Sequence, residues 1–434
     1  MTSAAVSLLD AVPEHLPARL TISLWDFSWY TQAGPGEPFA DLDGAMVAAV
    51  ERGYNTIRIC AMPFLLFGDH DIDASRLDIE EMAPGVGHAT RWYNVRGGVS
   101  VDGRARLREL FETARRRGVR VIVSSWEYQQ SPAFSRSDNW YRALEAIPPE
   151  ERFLALAKSL ARLVDYLRTA GGLDRQIAYL ELHNEVDLSH LRDAGGGSEA
   201  DPYWPQKPFN ERAIEWLREQ CPEHMVTTSY GITPYLDMPA AAENSDVAHF
   251  HVYVYGALGA LERWAGVRGG DDYPSANLRS LLRDGAPEFG GASTGLVPSW
   301  RYDATGISPG MFYTYDNVDP RLWDRWLYEK HHLYAEAMRW AIDDKLTAIS
   351  AFARQRGIPA VVGEGWIGYT PLHSEYEDGP LGTAIAEYAV QRAVDLGLWG
   401  VVLGSNSAPH HPGWRNVAWQ QHLNRFLFDT AIAS

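Results

Sequence analysis

Cysteine is nearly missing from this 434-residue chain, which holds only Cys60 and Cys221. Two cysteines make no disulfide framework, and they suit a reducing compartment. Cys60 ends a run read as a strand and Cys221 ends one read as a helix, so a barrel would place them towards opposite faces. Positive charge is also short: 39 lysines and arginines against 56 acidic residues leave −17, which disfavours nucleic acid and anionic membranes as partners. No window approaches the ~18 apolar residues needed to span a bilayer. Residues 1–19 lack the cationic start and apolar core of a secretion signal, so a cytoplasmic location is the simplest expectation. Solenoid-type repeats and low-complexity linkers are missing too.

What is present is ordinary globular material, 46% hydrophobic and 22% charged, long enough for a large core. The 16 Trp and 21 Tyr either pack that core or offer flat faces to sugar rings. Short apolar, β-branched runs start near residues 20, 55, 119, 177, 225, 247, 359 and 399. Helical spacing is read over 41–52, 104–117, 149–170, 209–221, 322–356, 382–397 and the end of 414–433. Alternation with near-continuous apolar strands argues a parallel sheet buried on both sides. Eight units argue closure into an α/β fold of the (β/α)8 TIM barrel type, with reactive groups at the carboxyl ends of the strands. Residues 1–19 are read as a weakly structured lead-in and 20–434 as one catalytic barrel. Long loops follow strands 2 and 6, over 61–102 and 256–320, and are too long to be passive connections.

The fourth and seventh runs carry the chemistry. Ile177-Ala-Tyr-Leu-Glu-Leu-His183-Asn184-Glu185 ends in an amide and a carboxylate, and Pro359-Ala-Val-Val-Gly-Glu364-Gly-Trp366 delivers a second glutamate. On opposing sides of a barrel mouth, these carboxyls would admit a substrate between them. Glycosidic hydrolysis needs one carboxyl that donates a proton and another that attacks or activates water. A separation of about 5 Å makes the second a nucleophile and retains configuration. Like charges at that range split their pKa values, so one carboxyl stays protonated and the other ionised.

The pattern resembles the clan A retaining glycoside hydrolases, in particular the cellulase-like proteins near glycoside hydrolase family 5. It rests on Asn184-Glu185, Glu364, Arg58 within Asn-Thr-Ile-Arg-Ile on the second strand, and His251-Val-Tyr253 on the sixth. The resemblance implies Glu185 as acid/base and Glu364 as nucleophile. It also implies that Asn184 bonds the sugar 2-hydroxyl, that Arg58 keeps the nucleophile ionised, and that Tyr253, paired with His251, hydrogen-bonds it. The clan often ends strand eight in a tryptophan under the sugar; here the chain reads Gly404-Ser405-Asn406, then Pro409-His410-His411. Trp25, Trp126, Trp366 or Trp414 are candidates for that surface, and Asp26, Glu127, Asn406 and His410 complete the candidate substrate contacts. His70, His88 and His249 read as structural.

The expected substrate is a small oligosaccharide or glycoside, cleaved from an end in a pocket walled by the two insertions. This chemistry calls for no cofactor and no metal. A second reading is a metal-dependent barrel hydrolase using His183, His249, His251 and a carboxylate. It is weakened by the first strand, which reads Ser23-Leu-Trp25-Asp26 where many such barrels carry His-x-His. A non-catalytic carbohydrate-binding barrel is the third.

Overall fold

Runs of Val, Ile and Leu that are apolar on both faces need cover on both sides, and here they become the staves of a closed sheet. The computed structural model describes residues 8–197, 204–291 and 295–430. Its sheet begins with β1 (Leu20–Asp26) and β2 (Thr56–Cys60). A separate antiparallel hairpin follows, β3 (Leu77–Ile79) against β4 (Val99–Val101). Next come β5 (Arg120–Ser124), β6 (Ile177–Glu181), the short segments β7 (Val226–Thr227) and β8 (Ser229–Tyr230), β9 (Ala248–Tyr253), β10 (Ala360–Trp366) and β11 (Gly400–Val402). Apart from the hairpin, all lie in one parallel sheet ordered β7-β6-β5-β2-β1-β11-β10-β9-β8. The two ends of that order, β7 and β8, are separated in the chain by Thr228 alone. One kinked strand therefore closes a ring of eight, and the fold is a (β/α)8 barrel.

Among the described residues seven helices dress the ring: α1 (Leu42–Glu51), α2 (Gly103–Arg117), α3 (Pro149–Thr169), α4 (Lys207–Gln220), α5 (Ala335–Arg356), α6 (Pro380–Asp395) and α7 (Val417–Asp429). Asp41 caps α1 through the Gly44 N–H, and Gly118 ends α2 in the left-handed region at φ +70°, where glycine is unstrained. Between β8 and β9 the described chain has only a 3-10 turn, Tyr235–Asp237. The helical pattern expected over 322–356 is in fact two helices, Pro320–His331 and α5. No glycine or proline marks the break, so the sequence reads straight through it. Both cysteines are free and buried, Cys60 at the carboxyl end of β2 and Cys221 just after α4.

The larger core fills the space between sheet and helices. A second cluster lies inside the ring near the amino ends of the strands, where Ile22, Ile122, Tyr179, Val361 and Val402 meet Leu16. Trp399 also donates from its indole N–H to the Pro17 carbonyl at 2.9 Å. Of the lead-in read over 1–19, residues 8–19 form turns packed as a plug against the barrel, and residues 1–7 lie outside the described residues.

At the other end the two insertions lean over the strand ends and grip each other. Asp316 accepts from the Gly87 and Ala89 backbone N–H groups at 2.6 and 2.7 Å, and Arg301 donates to the Met82 carbonyl at 2.7 Å. Arg91, fully buried, reaches Asp378 at 2.9 Å and Glu377 at 3.4 Å in the loop after β10. No described helix is long and apolar enough to cross a membrane.

Candidate active site

Alternation along β2 turns Arg58 into the barrel, where its guanidinium is fully buried. An unpaired cation there would be very costly, so its donors must all be used. Nε and Nη2 hold the two Glu181 oxygens at 2.8 and 2.6 Å, Nη2 also reaches Asn184 Oδ1 at 2.6 Å, and Nη1 donates to Glu364 at 3.0 Å. The Trp126 ring covers the plane at 4.5 Å. Burial alone pulls Arg58 down, but Glu181 and Glu364 outweigh it and hold the residue above its ordinary pKa. Burial likewise pushes Glu181 up, yet Arg58 and His249 win and bring it to about 2.

Above this layer sit the two glutamates. Glu364 accepts from Arg58 on one oxygen and from the Tyr253 hydroxyl at 2.9 Å on the other. Tyr253 is itself held by Ser405 Oγ at 2.9 Å, and that oxygen also accepts from the Gly365 N–H at 3.0 Å. Glu185 shares a 2.8 Å hydrogen bond with His251 Nδ1 and accepts from Gln129 Nε2 at 3.0 Å. Gln129 in turn accepts from Asn184 Nδ2 at 2.7 Å, so the amide of Asn184 is fixed from both sides. One oxygen each from Glu185 and Glu364 and one nitrogen of His251 lie within 4.8 Å of one another.

Burial raises the pKa of both glutamates. His251 is pushed down to about 4, chiefly by burial, and is therefore neutral at pH 7. The opposing pulls differ: Glu364 has a full cation and a phenol on its oxygens, whereas Glu185 has an amide and a neutral imidazole. These partners favour the charged form of Glu364 more than that of Glu185. The Glu185 backbone sits at φ +42°, a conformation a non-glycine residue keeps only where its surroundings impose it.

The mouth is a cavity of about 650 Å³. Six of the sequence-predicted residues line it: Asp26, Trp126, Asn184, Glu185, Tyr253 and Glu364. Arg58 and His251 lie beneath, touching the glutamates. Trp92 from the first insertion, and Tyr255, Arg268 and Ile307 from β9 onward through the second, supply the walls.

Other expected sugar contacts lie elsewhere. Trp25 is buried against Phe39 at 5.1 Å. Glu127 accepts from the Phe64 and Leu65 N–H groups at 3.0 and 2.7 Å, satisfying the start of the helix Pro63–Phe67. Trp366 donates to the Leu403 carbonyl at 3.1 Å and Asn406 donates to Asp378; both line a separate crevice. His410 stands behind Asp26 at 3.0 Å, and Trp414 stacks on Tyr54 under Arg52.

Sequence reasoning missed Glu181, Gln129, Ser405 and Trp92. A carboxylate inside a strand buried on both faces was a usable signal for Glu181; Gln129 and Ser405 had none. Of the histidines of the metal reading, His249 and His251 stand ring to ring at 5.4 Å and His251 meets the Glu185 and Glu364 carboxylates, whereas His183 is engaged elsewhere. His183 Nε2 accepts from the Tyr128 N–H at 3.0 Å and Nδ1 meets the Asn184 carbonyl, while His249 faces Tyr179 and Glu181.

The family described as sugar-binding cellulase-like matches residues 22–226 and 301–428. No curated protein matches the chain. Among solved structures, a protein described as a glycoside hydrolase from Parabacteroides distasonis superposes with a TM-score of 0.67 at 19% identity, covering 96% of this chain and 95% of its own. GH5_18 from Bifidobacterium longum superposes at 0.51 with 11% identity, covering 95% of this chain and 80% of its own. A variant of it in complex with Manβ1-4GlcNAc gives 0.50 at 12% identity, over 96% and 80%. With a family match over most of its length and this barrel beneath it, the chain belongs to the sugar-binding cellulase-like family, and its activity is that of a glycosidase.

Proposed function

We propose that the protein is a retaining glycosidase that removes sugars from the ends of small oligosaccharides or glycosides. The observation that carries this reading is the approach of Glu185 and Glu364 oxygens to within 4.8 Å. Retaining enzymes hold their two carboxyls ~5–5.5 Å apart, whereas inverting ones leave ~6.5–9.5 Å for a water. Glu364, bound by Arg58 and Tyr253, stays ionised and attacks the anomeric carbon. Glu185 donates its proton to the departing oxygen, then takes one from the water that releases the glycosyl-enzyme. Asn184, clamped between Arg58 and Gln129, presents its remaining donor to the sugar 2-hydroxyl. Phe27, Trp92, Trp126, Tyr255 and Tyr369 are aromatic side chains that line the mouth. Because both insertions wall the mouth, the reading favours a pocket for a chain end over an open groove.

A panel of aryl glycosides differing in sugar, including glucosides, mannosides and galactosides, tests it. Glu364→Ala should remove turnover of every substrate the wild type cleaves. Glu185→Ala should spare substrates with good leaving groups far more than poor ones, because only the latter need the proton. The first-formed product should keep the substrate's anomeric configuration by NMR. Inversion, or full activity in both variants, ends the reading.

A further inference from the structure

We propose that Asp26, His410 and His411 form a binding site for one divalent transition-metal ion of the zinc class, set into the wall of the mouth. Asp26 ends β1 and the histidines follow β11, and these strands are sheet neighbours, so the topology itself brings the three together. One carboxylate oxygen and one nitrogen from each ring lie within 4.8 Å of one another, and all three residues are buried. His410 Nε2 and Asp26 Oδ2 are 3.0 Å apart. Ligands of a tetrahedral zinc ion with bonds of about 2.0–2.1 Å stand ~3.3 Å apart, so small side-chain rotations suffice. The other Asp26 oxygen is held by the Ser28 N–H, which leaves Oδ2 turned to the histidines.

Ring nitrogens supply the independent observation. His410 Nδ1 and both nitrogens of His411 are buried without a partner in the protein, and buried polar atoms seldom go unsatisfied. Arg91 would oppose a nearby cation, but Asp378 and Glu377 already pair with it. Phe39 flanks His410 at 5.6 Å and Trp92 stands edge-on to His411 at 5.7 Å, giving the cluster an apolar jacket. Two imidazoles and one carboxylate suit zinc, nickel or iron rather than calcium or magnesium, which take mostly oxygen. Asp26 and Trp92 both line the mouth, so the open coordination positions would face the sugar site and take water or a sugar hydroxyl. No step assigned to the glutamates uses this ion, and the two proposals stand apart.

Chelator-stripped full-length protein is titrated with zinc by calorimetry, and with cobalt(II) by visible absorption. One zinc per chain is expected, together with the d–d bands of cobalt in a nitrogen- and oxygen-ligated site. His411→Ala should weaken zinc binding by at least ~10-fold while keeping the native circular dichroism. Should that variant not fold, Asp26→Asn makes the same comparison with the shape preserved. The proposal is overturned if the wild type takes up no stoichiometric zinc, or if the folded variant binds it as tightly as the wild type.

Discussion

Arg58 decides the charge state of the centre, because one guanidinium serves Glu181, Asn184 and Glu364 at once. Removing one partner of a buried ion pair leaves an uncompensated charge and costs about 3–5 kcal/mol. Arg58→Met should lower the urea midpoint accordingly, and a midpoint within error of wild type would mean the network is not what holds this layer. The same pairing gives an acid limb to stability. Glu181 lies at about 2 in the fold and near ~4.3 unfolded. Its stabilisation is therefore present above pH ~4.3 and is lost as pH falls towards 2, amounting to roughly 3 kcal/mol at full extent. Glu181→Gln should flatten that limb in denaturation curves between pH 5 and 2. Gln129 acts on the acid: its hydrogen bond lowers the Glu185 pKa. Gln129→Leu should move the basic limb of the kcat/KM profile upward, since it removes a hydrogen bond that favours the charged form. An unmoved limb would place the essential acid elsewhere.

At the level of the elements, the strands were legible because a stave buried on both faces must be apolar, and few loops are. The carboxyl ends were legible too, since a polar residue closing such a run is conspicuous. What that signal cannot do is tell a catalytic carboxylate from a capping one. Glu127 and Glu185 both follow apolar runs, yet Glu127 turns to the buried first-turn N–H groups of Pro63–Phe67 and to Ser125 Oγ, while Glu185 turns to the mouth. The choice depends on where another loop's helix starts, which no local pattern contains. Trp25 and Trp366 failed for a related reason: strand alternation gives the face of the sheet but not what covers it. The kink at Thr228 and the break after His331 carry no glycine or proline and left no trace. As a cap, Glu127 is a stability residue. Glu127→Ala should lower stability by about 1–3 kcal/mol, through two N–H groups and a hydroxyl left unpaired. A thermal scan with an unchanged midpoint would restore it to the list of candidate sugar contacts.

The whole molecule is a barrel whose lid was built from its own connections. The excursions over 61–102 and 256–320 are far apart in sequence, and nothing in either announces the other. They meet because Asp316 takes two backbone N–H groups of the first and Arg301 takes its carbonyls, while Arg91 anchors that loop to the one after β10. The walls of the mouth, Trp92 on one insertion and Ile307 on the other, are therefore positioned by contacts between insertions as much as by the barrel beneath. Cutting the tie at Asp316 should loosen the wall and leave the glutamate pair, on β6 and β10, where it is. Asp316→Ala strands two N–H groups and should remove about 2–4 kcal/mol of stability. In kinetics it should raise KM severalfold with a smaller change in kcat, and hydrogen exchange over 84–93 should quicken. If exchange quickens while KM holds, the wall is not what binds the sugar; if kcat collapses with KM constant, the insertions position the glutamates themselves.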